Sequence, residues 1–255
     1  MTTEFSGRGD PARSMALLWR TVGEPSPGRG PKRGLSVDRI VAAAIEVADT
    51  EGLAALSMRR VADQLGVGTM SLYTYVPGKA ELIDLMLDTV CGEAIGDDDP
   101  TGHWRAALTR VARTNWAIYH RHPWMLQVAS MSQPPMGPNV IAKYECELHA
   151  VDGIGLTDVE MDSVLSLVLV HVEGSARRSV EAAEAQRIGR TDEEWWAEYA
   201  PLLEKVLDPD RFPVASRVGQ AAGEAHGAAY APEHAFEFGL ERVLDGVEAL
   251  IRSRS

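Results

Sequence analysis

The chain has 255 residues, 45% of them hydrophobic, and a net charge of −12. That length and apolar share support one large or two modest packed domains and exclude a disordered or fibrous chain. The longest apolar runs, such as Val164–Val170, fall short of the roughly 20 residues that span a bilayer, and the chain opens on no continuous apolar leader, so a cytoplasmic protein without a membrane partner is expected. Cys91 and Cys146 stand far apart, which excludes a disulfide framework or a paired-cysteine metal motif. The charge is uneven: residues 1–80 hold ten Lys/Arg against eight Asp/Glu, while the remainder carries −14. One end therefore tolerates a polyanion and the other repels it, as expected of docking on nucleic acid by one end, although scattered charge on an acidic protein gives the same total.

Residues 1–34 are rich in Gly, Pro, Ser and Arg and read as a flexible N-terminal arm. Met15–Trp19 suits one amphipathic turn, and Pro25, Pro27 and Pro31 forbid a long helix. Arg29, Lys32 and Arg33 either follow phosphates or enter a minor groove, or belong to a solubilising tail. Ser36 is an N-cap for a first helix whose buried stripe is Ile40, Val41, Ala44, Val47 and Ala48, with Gly52 as its stop. Ser57 caps a second helix with Val61, Ala62 and Leu65 at helical spacing, and Gly66 ends it. Thr69 then opens a short third helix carrying Leu72 and Val76. Two short helices across a glycine turn form either an ordinary corner of a helical core or a helix-turn-helix, whose second helix meets base edges in the major groove. Arg59, Arg60, Thr69, Ser71, Tyr73, Thr74, Tyr75 and Lys79 supply donors with almost no carboxylate among them, as a phosphate-facing surface requires. Pro77 suits the first position of a fourth, connecting helix, and Asp97–Pro100 reads as the boundary after it.

Beyond the boundary every segment is helical in pattern. Helices are expected from Trp104 to His122, in a short stretch after Trp124, and from Pro138 to about His149. A long one, capped by Thr157 with Glu160 in a capping box, runs to about Arg187. Another runs from Thr191 to Leu207, a Gly/Ala-rich segment around 221–227 interrupts the order, and Pro232 opens the last. The fold class is all-α: a domain over residues 35–96 that carries the corner or helix-turn-helix with its connecting helix, and a larger helical domain over 97–255. The long and the final helix have surplus apolar faces, and such a helix is buried on both sides or meets a partner chain; Val164, Val168, Leu240, Leu244 and Val247 are expected to pair with a second copy as a four-helix bundle.

Val67–Leu82 resembles the recognition helix and following turn of the TetR family of transcriptional regulators: Leu72, Tyr73, Tyr75, Val76, Lys79 and Leu82 fit its pattern. Phe236–Leu250 resembles the C-terminal helix of the tetracycline-repressor branch. The resemblance implies a homodimeric repressor, not an enzyme, bound to double-stranded, palindromic operator DNA and released by a small-molecule inducer. It implies that Arg59, Thr69, Met70, Ser71 and Thr74 face base edges and that Tyr73, Tyr75 and Lys79 hold phosphates. It also implies a sensing pocket in the larger domain. Candidates for it are Trp104, Asn115, Trp116, Tyr119, Trp124, Met125, Met131, Tyr144, His171 and Arg177, aromatics and polar groups of the kind a drug-sized pocket needs, each of which also suits plain core. That branch holds a magnesium–drug complex through His, Thr and Glu. Those positions do not fall on matching residues here, so no metal or cofactor is expected. The chain has no His-Glu-x-x-His, no Gly-x-Ser-x-Gly and no phosphate-cradling glycine loop. A helical enzyme or a constitutive ligand carrier that merely contains such a corner is the competing assignment.

Overall fold

The computed structural model describes residues 10–20, 34–96, 103–129, 133–187, 189, 191–228 and 230–254, without the side chains of 186, 192 and 193. The described residues hold twelve α-helices and two 3₁₀ turns, and no strand. They fall into two compact units, residues 1–166 with 251–255 and residues 167–250.

In the first unit, α1 (Pro11–Leu18) is a correction to the arm expected over residues 1–34. The Asp10 carboxylate accepts from the amides of Ala12 and Arg13, and Pro11 starts the helix where a missing N–H costs nothing. Tertiary contacts then hold it. Leu18 joins the core, Ser14 Oγ donates to Asp84 Oδ2 at 2.9 Å, and Trp19 Nε1 donates to the Met136 carbonyl at 2.8 Å. Arg29, Lys32 and Arg33 lie outside the described residues.

The next four helices follow their local signals closely. α2 (Val37–Glu51) begins at Ser36, whose Oγ accepts from Arg39 N, and ends at Gly52 with φ of 82°. α3 (Met58–Leu65) begins at Ser57 in the same way and ends at Gly66 in the left-handed region, where a side chain would be strained. α4 (Thr69–Tyr73) follows, held down by Leu72 and by Val76 just beyond it, both fully buried. α5 (Lys79–Cys91) starts two residues later than Pro77 suggests. The amides of Tyr75 and Val76 still bond back to Leu72 O, and Gly78, in extended conformation, takes the cap. Ile40, Val47, Val61, Leu72, Ile83 and Met86 join these helices in one core with Trp124 and Val128.

The rest of this unit is α6 (Trp104–Arg121), α7 (Met125–Val128), α8 (Pro138–Leu148) and the start of α9 (Asp158–Arg187). Thr157 and Glu160 form the expected reciprocal cap, Thr157 N donating to Glu160 Oε2 at 2.9 Å.

The second unit holds the remainder of α9 with α10 (Asp192–Glu204), α11 (Pro213–His226) and most of α12 (Pro232–Arg252). The Gly/Ala-rich segment is the body of α11 rather than an interruption. Alanines favour a helix, and Gly223 abuts the Trp196 indole so closely that a Cβ would lie 3.2 Å from it. Gly227, at φ of 64°, ends the helix. His171 of α9 keys into α12: its Nε2 bonds the Phe236 carbonyl at 2.9 Å, its ring stacks on Phe236, and a Cβ on residue 239 would stand 2.2 Å from it.

The residues expected at the dimer interface lie in the interior of the chain. Val164, Val168, Leu240, Leu244 and Val247 are all buried within one chain. The apolar stripe that periodicity detects on each helix is spent inside the subunit. The apolar side chains left outward on α9 and α12 are Val159, Leu167, Val170 and Phe238, each more than half exposed.

Candidate nucleic-acid interface and ligand cavity

The helix-turn-helix exposes one polar face. Because Leu72 and Val76 anchor α4 from beneath, the residues between and beside them turn outward: Met70, 77% exposed, with Ser71, Tyr73, Thr74 and Tyr75. Thr69 and Lys79 are half-buried at the two ends of this face. Arg59 projects from α3 into solvent. Its neighbour Arg60 is engaged: Nε donates to the Glu51 carboxylate at 3.0 and 3.1 Å, and Nη2 to Gln64 Oε1 at 3.0 Å. The hydrogen bond from Arg60 holds the Glu51 carboxyl below the usual carboxylate range, and the same bond raises the Arg60 guanidinium. Arg60 therefore ties α3 to the end of α2, and Arg59 is the α3 arginine turned outward.

A polar cavity of about 210 Å³ lies in the first unit, lined by Glu93, Ala94, Gly96, Arg110, Val111, Thr114, Asn115, Cys146 and Glu147. Asn115 is the one expected ligand residue in that lining. Its Nδ2 donates to Glu147 Oε1 at 2.6 Å and to the Val111 carbonyl at 2.9 Å. Glu147, nearly fully buried, also receives Lys143 Nζ at 2.6 Å. A buried carboxylate must be paired and hydrogen-bonded, and here an amide and an ammonium supply both needs.

The other expected ligand residues are dispersed. Trp104 and Trp116 are half-buried beside His103 and His120, Tyr119 packs on the core, and Met125 is inside it. Tyr144 is exposed, and its hydroxyl donates to Asp162 Oδ1 at 2.9 Å, a bond that raises its pKa. His171 is taken up by the α9–α12 contact, and Arg177 pairs with Glu173 at 2.9 Å. Met131 lies outside the described residues.

Trp124 is buried, and its Nε1 donates to Asp49 Oδ1 at 2.7 Å. The same carboxylate bonds His122 Nδ1 at 2.8 Å, so two side chains after α6 grip the last turns of α2. On its other side His122 Nε2 faces Glu93 Oε1 at 3.3 Å.

Glu93, Arg110, Cys146 and Glu147 escape sequence reasoning. A signal for Glu147 exists in hindsight: an amide predicted to face inward at Asn115 needs a partner, and Lys143 with Glu147 has i,i+4 spacing. The second unit contains a larger cavity of about 500 Å³ between α10 and α11, walled by Trp196, Leu203 and Leu207 with Glu204 and Glu224. None of the expected ligand residues lines it. Among the described residues no group of three His, Cys, Asp or Glu is placed to hold a metal ion.

Comparison with known proteins gives concordant matches. The family model described as bacterial regulatory proteins, tetR family, matches residues 40–86, and the model described as tetracyclin repressor-like, C-terminal domain, matches residues 96–251. The chain is 48% identical over 255 residues to the HTH-type transcriptional repressor DrrR1 of Streptomyces coeruleorubidus, covering 99% of this chain and 91% of that protein. Among solved structures, apo ActR from Streptomyces coelicolor superposes with a TM-score of 0.71 at 26% identity, over 88% of this chain and all of that one. ActR in complex with actinorhodin gives 0.70 at 29% identity, over 86% of this chain and 97% of that one.

Proposed function

The chain belongs to the TetR family of bacterial regulatory proteins, and on that premise we propose how this transcriptional regulator works: the exposed face of α4 reads a double-stranded operator, and a small molecule bound in the α6–α8 region releases it. The observation that carries the DNA half is the outward row Met70, Ser71, Tyr73, Thr74 and Tyr75 over buried Leu72 and Val76. Hydroxyls and a thioether at the start of a helix suit base edges, and tyrosines with Lys79 suit phosphates. Residues 35–96 then form the reading head with its connecting helix, and 97–255 the sensing and dimerising part.

A repressor acting on a palindrome works as a homodimer, because two-fold protein symmetry matches two half-sites. Leu167, Val170 and Phe238 are the outward apolar residues of the second unit that we assign to that contact. No described helix is long and apolar enough to cross a membrane, and we place the protein in the cytoplasm with its operator. The family and its named relatives are regulators rather than enzymes, and we assign this chain no catalytic step. For the inducer we take an organic small molecule that reaches the Asn115–Glu147 pair. Actinorhodin, held by ActR in its complex, is the first probe.

A gel shift with the DNA immediately upstream of this protein's own gene tests the assignment. A salt-sensitive shift that survives excess non-specific DNA is expected. Failure to retain any duplex from a random-sequence pool at low salt overturns it. Mass spectrometry of small molecules that co-purify identifies the inducer.

A further inference from the structure

Glu93 has two roles in the geometry at once. It lines the 210 Å³ cavity, and it faces the ring of His122, whose other nitrogen bonds the reading head. His122 and Trp124 are both buried, so their polar atoms depend on these partners rather than on water. The charged groups around the ring are Asp49 from α2, Glu93 from the turn after α5, and Arg121 beside it, which also grips Glu93. His122 Nδ1 bonds Asp49 Oδ1 at 2.8 Å, and the same oxygen accepts from Trp124 Nε1.

We propose that Glu93 is a positioning residue that couples the cavity to the reading head. A ligand that presents an ammonium or comparable strong donor to Glu93 draws this carboxylate away from His122 and loosens the grip on Asp49. The inference rests on the chain being a ligand-released DNA binder and names the chemistry of that release. The neighbouring carboxylate, Glu147, is almost fully buried between Asn115 and Lys143, whereas the Glu93 side chain is 35% exposed, so Glu93 is the acid whose partners a ligand can exchange. Differential contact of this kind is what a ligand needs to shift a two-state equilibrium.

Cys146 lines the same cavity and allows a test without the natural ligand. The full-length protein is treated with aminoethyl methanethiosulfonate. The Cys146 thiolate attacks the sulfenyl sulfur and expels methanesulfinate, leaving a disulfide-linked ammonium. The methyl reagent leaves a neutral adduct of similar placement. Cys91, whose thiol burial pushes up to about 11, is removed as Cys91→Ala throughout, so that Cys146 is the cysteine labelled. The aminoethyl adduct is expected to weaken operator binding about tenfold, within the usual range of allosteric coupling, while the methyl adduct stays near the unlabelled value. In Glu93→Gln the two adducts should behave alike. The ring signals of His122 provide a second readout: by NMR, their chemical shifts are expected to move in Glu93→Gln and in the aminoethyl adduct, and to stay near the unlabelled positions in the methyl adduct. Unchanged ring signals and unchanged operator affinity on aminoethyl labelling overturn the link, as does a Cys146 that resists labelling in the folded protein. Absence of operator binding by the unlabelled protein overturns the DNA-binding assignment instead, and the ring signals still decide whether the cavity reaches His122.

Discussion

Gly137 and Asp88 interlock where α5 meets α8. A Cβ on residue 137 would stand 2.1 Å from Asp88 Oδ1, and that oxygen accepts from the amides of Asn139 and Val140 at 3.0 Å each. The connecting helix thus supplies the N-terminal cap of a helix in the neighbouring layer, and only glycine leaves it room. Gly137→Ala should push the carboxylate off its amides. A loss of about 1–3 kcal/mol is expected, the scale of overpacking at a tight site, read as a lower urea midpoint at constant slope. An unchanged midpoint would show that Asp88 caps α8 loosely.

The reading head separates specificity from affinity. Arg59 is outward while Arg60 is occupied by Glu51, so Arg59→Ala should relax preference at one base pair per half-site, a change worth about 1–3 kcal/mol. Lys79→Ala should weaken all sequences alike and reduce the salt slope by about one. Binding to a panel of operator mutants at several salt concentrations checks both. Equal losses on every sequence for both variants would refute the division of roles.

Assembly can be tested on opposite faces of the same helices. Val170 and Phe238 are outward, and the Phe238 ring meets His234 and Arg242 of its own helix. Val170→Glu and Phe238→Glu should each leave helix content intact and raise the dimer dissociation constant about thirtyfold or more, the hot-spot scale. Leu244→Glu should instead lose the fold, because it places an unpaired charge in a fully buried site. Sedimentation and circular dichroism on the three variants distinguish these outcomes. A Leu244→Glu protein that stays folded but monomeric would restore the interface that sequence periodicity suggests.

What could be read from the residues alone was local. Ser36, Ser57, Gly52 and Gly66 bound their helices through contacts three or four residues away, and each behaves as its type requires. What could not be read depends on distant partners. α1 exists because Ser14 meets a residue 70 positions on and Trp19 one 117 positions on. The apolar stripes through Val168 and Leu240 mark buried faces correctly, but periodicity does not say whether the covering surface comes from the same chain or another. The cavity assembles from α6, α8 and the turn after α5, so Asn115 was visible as an inward amide and Glu93 was not.

Two carboxylates should titrate with opposite effects on stability. Glu160 is held below its ordinary value of 4.5, first by the Thr157 amide, then by the Thr157 hydroxyl and Arg254. A depressed folded-state pKa contributes stability that is present above 4.5 and lost as pH falls through the folded value. Asp88 is raised above its ordinary 3.8, chiefly because burial disfavours its charge, and its hydrogen bonds from Val140 and Asn139 offset only part of that. A raised acid contributes stability that is present below 3.8 and lost as pH rises through the folded value. Unfolding free energies of the wild type, Glu160→Gln and Asp88→Asn, measured from pH 3 to pH 7, check the signs. The advantage of the wild type over Glu160→Gln should shrink on acidification. Relative to Asp88→Asn, the wild type should instead gain on acidification. Parallel curves for all three proteins would mean that neither carboxylate is shifted by folding.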